Sequence, residues 1–494
     1  MTKQITITEK LLQEKCGIVA IYTPHLAKQL SIALLAAAGV QHRGQHGAGI
    51  ALGTANGMVN YKAPGRLDKV FTEELIAKNN LDQDCKWIIV HCRYGTEGGY
   101  GPENIQPCIV KAEDGTEIAV AHNGQFVVKT AHELPDNYSD TLIFTQKLAQ
   151  ARENSWEERV VKTLEDFRGA YSLVIGIGDK LFVARDEQGI RPLVLGRYNG
   201  GWIAASETTA LNKVGAKVER EVRRGEIIRI DEGGLTVLRT GLPDEGHFCD
   251  FEWAYFARPD SQLPVQGSWL SIGLAREKAG EIAASEIKIP NASFVVGVPD
   301  SGIALATGFS RVSGIPFRQV IVRDHFDPNG LRRTFMQDHA KHKIRDLVRG
   351  KLSLIRDEGV WKDAVVVVCD DSIVRGDVST QITKAMRGLG AKEIHWVSGY
   401  PQVQHRCHLG VSMRTKEELI ASRNDGDVKK IAGEIGADSV NYISHSGFVR
   451  SRRVKDDITI PKDPDDIFLV NGGCGGCVTG RYPISKEGEV WKPS

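Results

Sequence analysis

No apolar run in this 494-residue chain is long enough to cross a bilayer. The longest, around Leu30 to Val40, falls far short of the roughly 20 residues a membrane helix needs, so no membrane span is expected. Excess charge is missing too. The formal net charge is +1, which offers no electrostatic grip on nucleic acid or on an anionic membrane. The first fifteen residues, MTKQITITEKLLQEK, lack the apolar core of a secretory signal, and the expectation is a cytoplasmic protein. In that reducing compartment nine cysteines argue for thiols, catalysis or metal rather than a disulfide framework. Apolar content of 41% and charged content of 25% are ordinary for a soluble globular chain. The length exceeds what one hydrophobic core usually serves, so two domains are expected.

What the chain does contain is a run of valines that stops at two acids. Val365 to Val368 read as a buried strand of a parallel sheet. The stretch VVVVCDDSIVRGDVST, residues 365 to 380, carries that strand through Asp370 and Asp371 into a short loop. STQITKAMRGLGAKEI then reads as a helix with Ser379 a candidate N-cap. Free N–H groups and the positive dipole end of such a helix favour an anion in the loop. Two carboxylates at a strand's carboxyl edge can hold ribose hydroxyls or a hydrated magnesium ion. The same residues also read as an ordinary strand, loop and helix with solvated acids. VVGVPDSGIALATGFSRVSG repeats the logic, and its Asp300, Ser301 and Gly302 are either a second such loop or a plain turn and cap.

Around these motifs the pattern changes once. WIIVHCRY, EIAVAHNGQF, AYSLVIGIG, KLFVAR, LVLGRY and GWIAAS are strand-like runs separated by turn signals, with helical patterns at LAKQLSIALLAAAG and SDTLIFTQKLAQ. Beyond a boundary near residue 245, strands alternate with helices as in a doubly wound parallel sheet. Cys16 precedes the strand-like GIVAIY and is either a thiol displayed at a sheet end or a packed structural one. Asn123 and Gly124 form the dipeptide that most favours a hairpin turn. Cys474 and Cys477 form a CxxC, whose spacing leaves an iron-sulfur cluster, zinc and free thiols all open.

DDSIVRG resembles the phosphoribosyl-pyrophosphate loop of type I phosphoribosyltransferases. Taken with CGIVAIY, QHRGQHGAGI, HCRYGTEGG, AHNGQF, ARDEQGIRPLVLG, FEWAYFARPDS, VPDSGIALATG, GLRRTFMQ, KEELIASR and GCGGCVTGRYP, the chain from Cys16 to about Pro483 resembles the amidophosphoribosyltransferase family. These are glutamine-dependent enzymes that open purine synthesis. The resemblance implies an α/β protein: an α+β N-terminal-nucleophile αββα domain, then a type I phosphoribosyltransferase domain with a doubly wound parallel sheet. It divides the chain into a propeptide at 1–15, a class II glutamine amidotransferase domain at 16–245, a phosphoribosyltransferase domain at 246–477 and a tail at 478–494.

The same resemblance assigns roles. Cys16 becomes the nucleophile once the propeptide is removed, its own α-amino group acting as base. Asn123 and Gly124 become the oxyanion hole. Arg93 grips the glutamine carboxylate and Asp140 its ammonium, with Thr96 and His122 in supporting roles. Asp370, Asp371, Ser372, Arg375, Gly376 and Ser379 bind phosphoribosyl pyrophosphate, and Ser301 joins Asp370 and Asp371 at magnesium. VRDHFDPNGLRRTF matches a closing loop, with Arg332 and Arg333 as phosphate contacts. Cys249, Cys407, Cys474 and Cys477 match the four ligands of a [4Fe-4S] cluster in one branch of the family. Cys85, Cys92, Cys108 and Cys369 have no matched role and read as packed thiols. Purine nucleotides as feedback inhibitors and a homotetramer are also implied.

The chain departs from the family's pattern at several places. Asp377 and Val378 replace two threonines that would donate to the 5-phosphate. His46 and Gly47 stand for Glu and Ser, Asp324 for asparagine, Ser412 for an acid and Leu142 for a glutamate. Such changes fit a divergent enzyme, a paralogue with another phosphorylated acceptor, or a non-catalytic regulatory protein of the same fold.

Overall fold

The computed structural model describes residues 16–94, 102–128, 139–243, 246–323, 352–411, 413 and 415–492. Thr96, Asp324, Arg332, Arg333, Ser412 and the expected propeptide lie outside them.

Alternating side chains build the first half into four layers. In the strand Gly17–Lys28, Val19 and Ile21 enter a core covered by helix, while Ile18, Ala20 and Tyr22 enter a core between two sheets, as a period of two requires. That strand sits in a seven-stranded sheet ordered Lys217–Glu221, Val194–Tyr198, Gly201–Ala205, Gly17–Lys28, Asp84–Arg93, Gly47–Thr54, Gly57–Pro64. A six-stranded sheet, ordered Gly234–Arg239, Ile227–Asp231, Lys180–Arg185, Phe167–Ile177, Glu117–Val128, Cys108–Lys111, contributes Ala119, Ala121, Val174 and Val183 to the core between the sheets. The helix Leu30–Ala38 covers the outer face of the first sheet, and Asp140–Gln150 with Trp156–Glu165 covers that of the second. Each fully buried Val, Ile or Leu contributes about 1.5–3 kcal/mol to holding these layers together.

The second half is wound on both faces of a parallel sheet ordered Phe294–Gly297, Val365–Asp370, Glu393–Ser398, Ser439–Tyr442. Val295, Val367 and Val397 pack toward the helices Ile272–Glu286 and Ser301–Ser313. Val296, Val366 and Val368 pack toward Asp377–Gly388 and Val428–Ile435. Among the described residues no helix is long and apolar enough to cross a membrane.

Three local expectations are corrected. The helix expected from Leu26 starts at Leu30, because Ala27 and Lys28 are claimed by pairing with Cys85 and Asp84. Asn123 and Gly124 make no hairpin; they lie inside the strand Glu117–Val128, paired with Ser172 and Tyr171. Ser379 is not an N-cap, because Gly376 at φ +85° already opens the helix and puts Ser379, 3% exposed, within the first turn. Cys85, Cys92, Cys108 and Cys369 are buried free thiols, as expected.

Candidate functional site

Cys16 enters the first sheet just ahead of Gly17, which pairs with Cys92. Its thiol donates toward the Tyr94 carbonyl oxygen at 3.7 Å, and its sulfur accepts from the Tyr94 N–H at 3.5 Å. Burial pushes the thiol pKa up; the Tyr94 backbone and the Arg93 and Arg43 guanidiniums oppose that, while Asp140 adds to it. The thiol therefore feels both charges that the family resemblance assigns to an amino-acid substrate. Arg93 closes the strand Asp84–Arg93 and is 5% exposed. Asp140 opens the helix Asp140–Gln150 behind Ser139, whose hydroxyl accepts from the Leu142 N–H at 3.3 Å. Its Oδ2 accepts from the Phe126 N–H at 2.8 Å and its Oδ1 from the Thr141 N–H at 2.7 Å. Burial nonetheless raises the Asp140 pKa to about 6.

The strand that carries Phe126 also carries Asn123 and Gly124. Asn123 is wholly buried, and among the described residues neither its side-chain oxygen nor its nitrogen has a hydrogen-bond partner, a condition a buried amide resolves by meeting water or ligand. At Gly124, with φ +149°, a Cβ would lie 1.8 Å from the Ala170 oxygen, so only glycine fits there. His122 Nδ1 lies 3.0 Å from Thr141 Oγ1, and burial holds the ring neutral with a pKa near 3. His46, one of the departures, packs against Tyr94 with ring centroids 4.4 Å apart and planes tilted by 43°, and is kept neutral by burial and Arg93, its pKa lowered to about 4.

A set of buried charges escaped the sequence reading, although all four lie in the motifs quoted above or just beside them. Arg43 Nη1 donates to Glu207 Oε1 at 2.7 Å and to Glu252 Oε2 at 2.9 Å, and Arg43 Nη2 donates to Glu252 Oε1 at 2.7 Å. Arg191 Nη1 donates to Glu252 Oε1 at 3.4 Å. All four side chains are fully buried. Two cations and two anions neutralise one another, and removing one member of such a buried pair costs about 3–5 kcal/mol. Ser261 Oγ and the Arg258 N–H also donate to Glu207, at 2.6 and 3.0 Å, so the network joins the two halves of the chain. At Glu252, a lone charge among the apolar residues of FEWAYF was the available signal, since buried charge must be paired.

The second site gathers at the carboxyl edge of the parallel sheet. Asp370 ends the strand Val365–Asp370, and both it and Asp371 are 8% exposed. Asp371 accepts from the hydroxyls of Ser301 and, at 2.7 Å, Ser372. Burial raises both carboxyl pKa values; Asp371 adds to the rise at Asp370, while Ser301, Ser372 and Arg276 moderate it at Asp371. Gly302 lets the Ser301–Ser313 helix come this close, for a Cβ there would lie 2.5 Å from the Cys369 oxygen. Arg375 Nη2 donates to Glu418 at 2.7 Å, and the Ile420 N–H donates to the Val374 oxygen at 2.8 Å, so KEELIASR braces the loop. Asp377 occupies the first turn of the helix that follows.

The four assigned cysteines lie in or against one core cluster. Phe248–Cys249 pairs in parallel with Gly473–Cys474, setting Cys249 against Cys474. Cys477 follows in the short helix Gly476–Thr479, and its sulfur lies 3.5 Å from the Tyr400 hydroxyl. Cys407 packs against the same core, its sulfur accepting from the Leu409 N–H at 3.3 Å. Burial pushes the Cys249 thiol up to about 12, with Glu252 and Cys407 adding to the rise.

Comparison with known proteins identifies the family. The Glutamine amidotransferase domain family matches residues 101–213. Amidophosphoribosyltransferase of Bacillus subtilis is 33% identical over 482 residues, covering 96% of this chain and 95% of the relative. The chloroplastic amidophosphoribosyltransferase of Vigna aconitifolia is 37% identical, covering 96% and 92%. The solved structure of the Bacillus subtilis glutamine phosphoribosylpyrophosphate amidotransferase, complexed with ADP and GMP, superposes with a TM-score of 0.81 at 31% identity, covering 97% of this chain and 98% of that one. On full-length identity and shared architecture, the chain belongs to the amidophosphoribosyltransferase family, the enzymes of the first step of purine biosynthesis.

Proposed function

We propose that the two sites divide one reaction between them. Cys16 takes ammonia from glutamine, and that ammonia displaces pyrophosphate from 5-phosphoribosyl 1-pyrophosphate, giving 5-phosphoribosylamine, glutamate and pyrophosphate. The observation that carries this reading is the Cys16 sulfur held on the Tyr94 backbone, one residue beyond buried Arg93, with Asp140 fixed by the Phe126 N–H on the strand of Asn123 and Gly124. Arg93 would fork onto the substrate carboxylate and Asp140 would accept from its ammonium. With residues 1–15 removed, the α-amino group of Cys16, titrating near about 7.7–8.0, takes the thiol proton. The sulfur attacks the side-chain amide carbon, and the oxyanion is met by Asn123 Nδ2 and the Gly124 N–H. The carbon–nitrogen bond breaks, ammonia leaves with the returned proton, and water releases glutamate from the thioester.

At the second site Asp370, Asp371, Ser372, Arg375, Gly376 and Ser379 would hold the phosphoribosyl group. The hard oxygens of Ser301, Asp370 and Asp371 suit magnesium, which when bound supplies neutralising charge to the pyrophosphate leaving group. The boundary near residue 245 would separate the two activities, with 246–477 carrying the second and 478–494 a tail.

Cys249, Cys407, Cys474 and Cys477 fit a [4Fe-4S] cluster. Their thiols influence one another electrostatically. Yet among the described residues no three His, Cys, Asp or Glu side chains draw together around a single ion. Four soft thiolates are the donor set such a cluster takes. These residues would then tie the segment before the tail to the junction between the halves. Purine nucleotides as feedback inhibitors, a homotetramer and a cytoplasmic location belong to the same reading.

The test is chemical. A glutamine-mimicking affinity label followed by peptide mass analysis is expected to modify Cys16 in chains lacking residues 1–15. Label on another residue, or on none, contradicts the assignment.

A further inference from the structure

One carboxylate beyond the boundary reaches both walls of the thiol site. Glu252 lies in the helical turn Glu252–Phe256 and is fully buried. It receives Arg43 through both of its oxygens, at 2.9 and 2.7 Å, and Arg191 through Oε1 at 3.4 Å. Arg43 continues to the nucleophile, its Nε donating to the Cys16 carbonyl oxygen at 3.3 Å. Arg191 continues the other way, its Nη2 donating to the Leu409 carbonyl oxygen. The next residue, Gly410, has φ +99°, and a Cβ there would lie 3.0 Å from both the carbonyl carbon and the oxygen of Gly124. Two guanidiniums therefore run from a single carboxylate, one to the backbone of Cys16 and one to the chain packed on the strand of Asn123 and Gly124.

We infer that Glu252 is a positioning residue for glutamine hydrolysis, holding the backbone of Cys16 and the strand of Asn123 and Gly124 at their working separation. The inference rests on the roles proposed above for those three residues. Attack and oxyanion stabilisation depend on placement to a fraction of an ångström, and a bidentate, fully buried ion pair is a rigid way to supply it. Neutralising Glu252 acts in two opposite directions. Arg43 and Arg191 lose their shared acceptor, which loosens the geometry. The Arg43 charge is at the same time less compensated, which favours the Cys16 thiolate. A slower glutaminase with a more reactive thiol is a combination that simple loss of structure does not produce.

The experiment compares Glu252→Gln, Glu252→Asp and Gly410→Ala with the unaltered protein. It measures glutamate release against glutamine concentration, and iodoacetamide modification of Cys16 resolved by peptide mass spectrometry. Glu252→Gln is expected to lower kcat by about 10- to 100-fold and to leave KM within about twofold, while Cys16 alkylation at neutral pH becomes faster. Glu252→Asp recovers part of kcat. Gly410→Ala, which intrudes on Gly124 without touching charge, lowers kcat with alkylation unchanged. Unaltered kcat in Glu252→Gln and Gly410→Ala overturns the inference, as does a fall in kcat accompanied by slower alkylation. Should Glu252→Gln fail to fold, Gly410→Ala decides alone: wild-type kcat overturns the inference and reduced kcat supports it. An unaltered protein whose glutamate release survives Cys16→Ala removes the underlying site assignment instead, and the positioning role with it.

Discussion

The two sites treat their acids in opposite ways. Asp140 is held by two backbone N–H groups and acts on the Cys16 thiol together with the Arg93 guanidinium. Asp370 and Asp371 are adjacent and both buried, with two serine hydroxyls and Arg276 moderating Asp371. One arrangement matches a zwitterion, with a cation for its carboxylate and an anion for its ammonium. The other concentrates negative oxygens in one place, which is the chemistry of a divalent cation and sugar hydroxyls. The difference teaches that the halves can be disabled separately, since neither set of acids can substitute for the other.

The largest expected effect separates the halves outright. Cys16→Ala is expected to abolish glutamine-dependent pyrophosphate release while ammonium salts still support it; loss with both nitrogen sources would break the comparison. Asp371→Asn is expected to reduce pyrophosphate release from either nitrogen source by about 10²- to 10³-fold, the scale of removing one preorganised electrostatic group, with Cys16 still open to the affinity label.

Asp140→Asn is expected to raise the glutamine KM by roughly 10- to 100-fold, as for loss of a charge-assisted hydrogen bond, with ammonia-dependent turnover unchanged. The same residue sets a pH limb. Its raised pKa of about 6 in the free protein means the carboxylate is present above that pH and is protonated as pH falls through it. The kcat/KM for glutamine should therefore fall about tenfold per unit below that point, and the limb should vanish in Asp140→Asn. The smallest effect is a gain. Replacing Asp377 and Val378 by threonines removes a like charge from the helix N-terminus and adds donors, and should lower the KM for phosphoribosyl pyrophosphate by about 3- to 10-fold. An unchanged KM would show that Asp377 faces away from the phosphate.

Strand-like apolar runs were the most legible part of the sequence. GIVAIY was readable as a strand, while the division of Ile18, Ala20 and Tyr22 from Val19 and Ile21 between two cores is seen only in the fold. The valines of Val365–Asp370 were equally readable as a strand covered on both faces. Where local preference met long-range pairing, pairing won. Asn123 and Gly124 favour a turn, yet eleven paired positions along one strand hold them extended. Ser379 is a good cap by type, yet a left-handed glycine three residues earlier started the helix first. Least legible were Arg43, Arg191, Glu207 and Glu252, whose partners lie up to 218 residues away. Their pairing follows from the packing of the two halves and has no local period.

The central claim is that two chemically different sites run one coupled reaction. Its most direct test gives anaerobically purified protein glutamine, magnesium and phosphoribosyl pyrophosphate, and follows glutamate and pyrophosphate together. The account predicts equal release of both, lost in Cys16→Ala. Glutamate released without pyrophosphate, or neither product from chains shown to begin at Cys16, would contradict it.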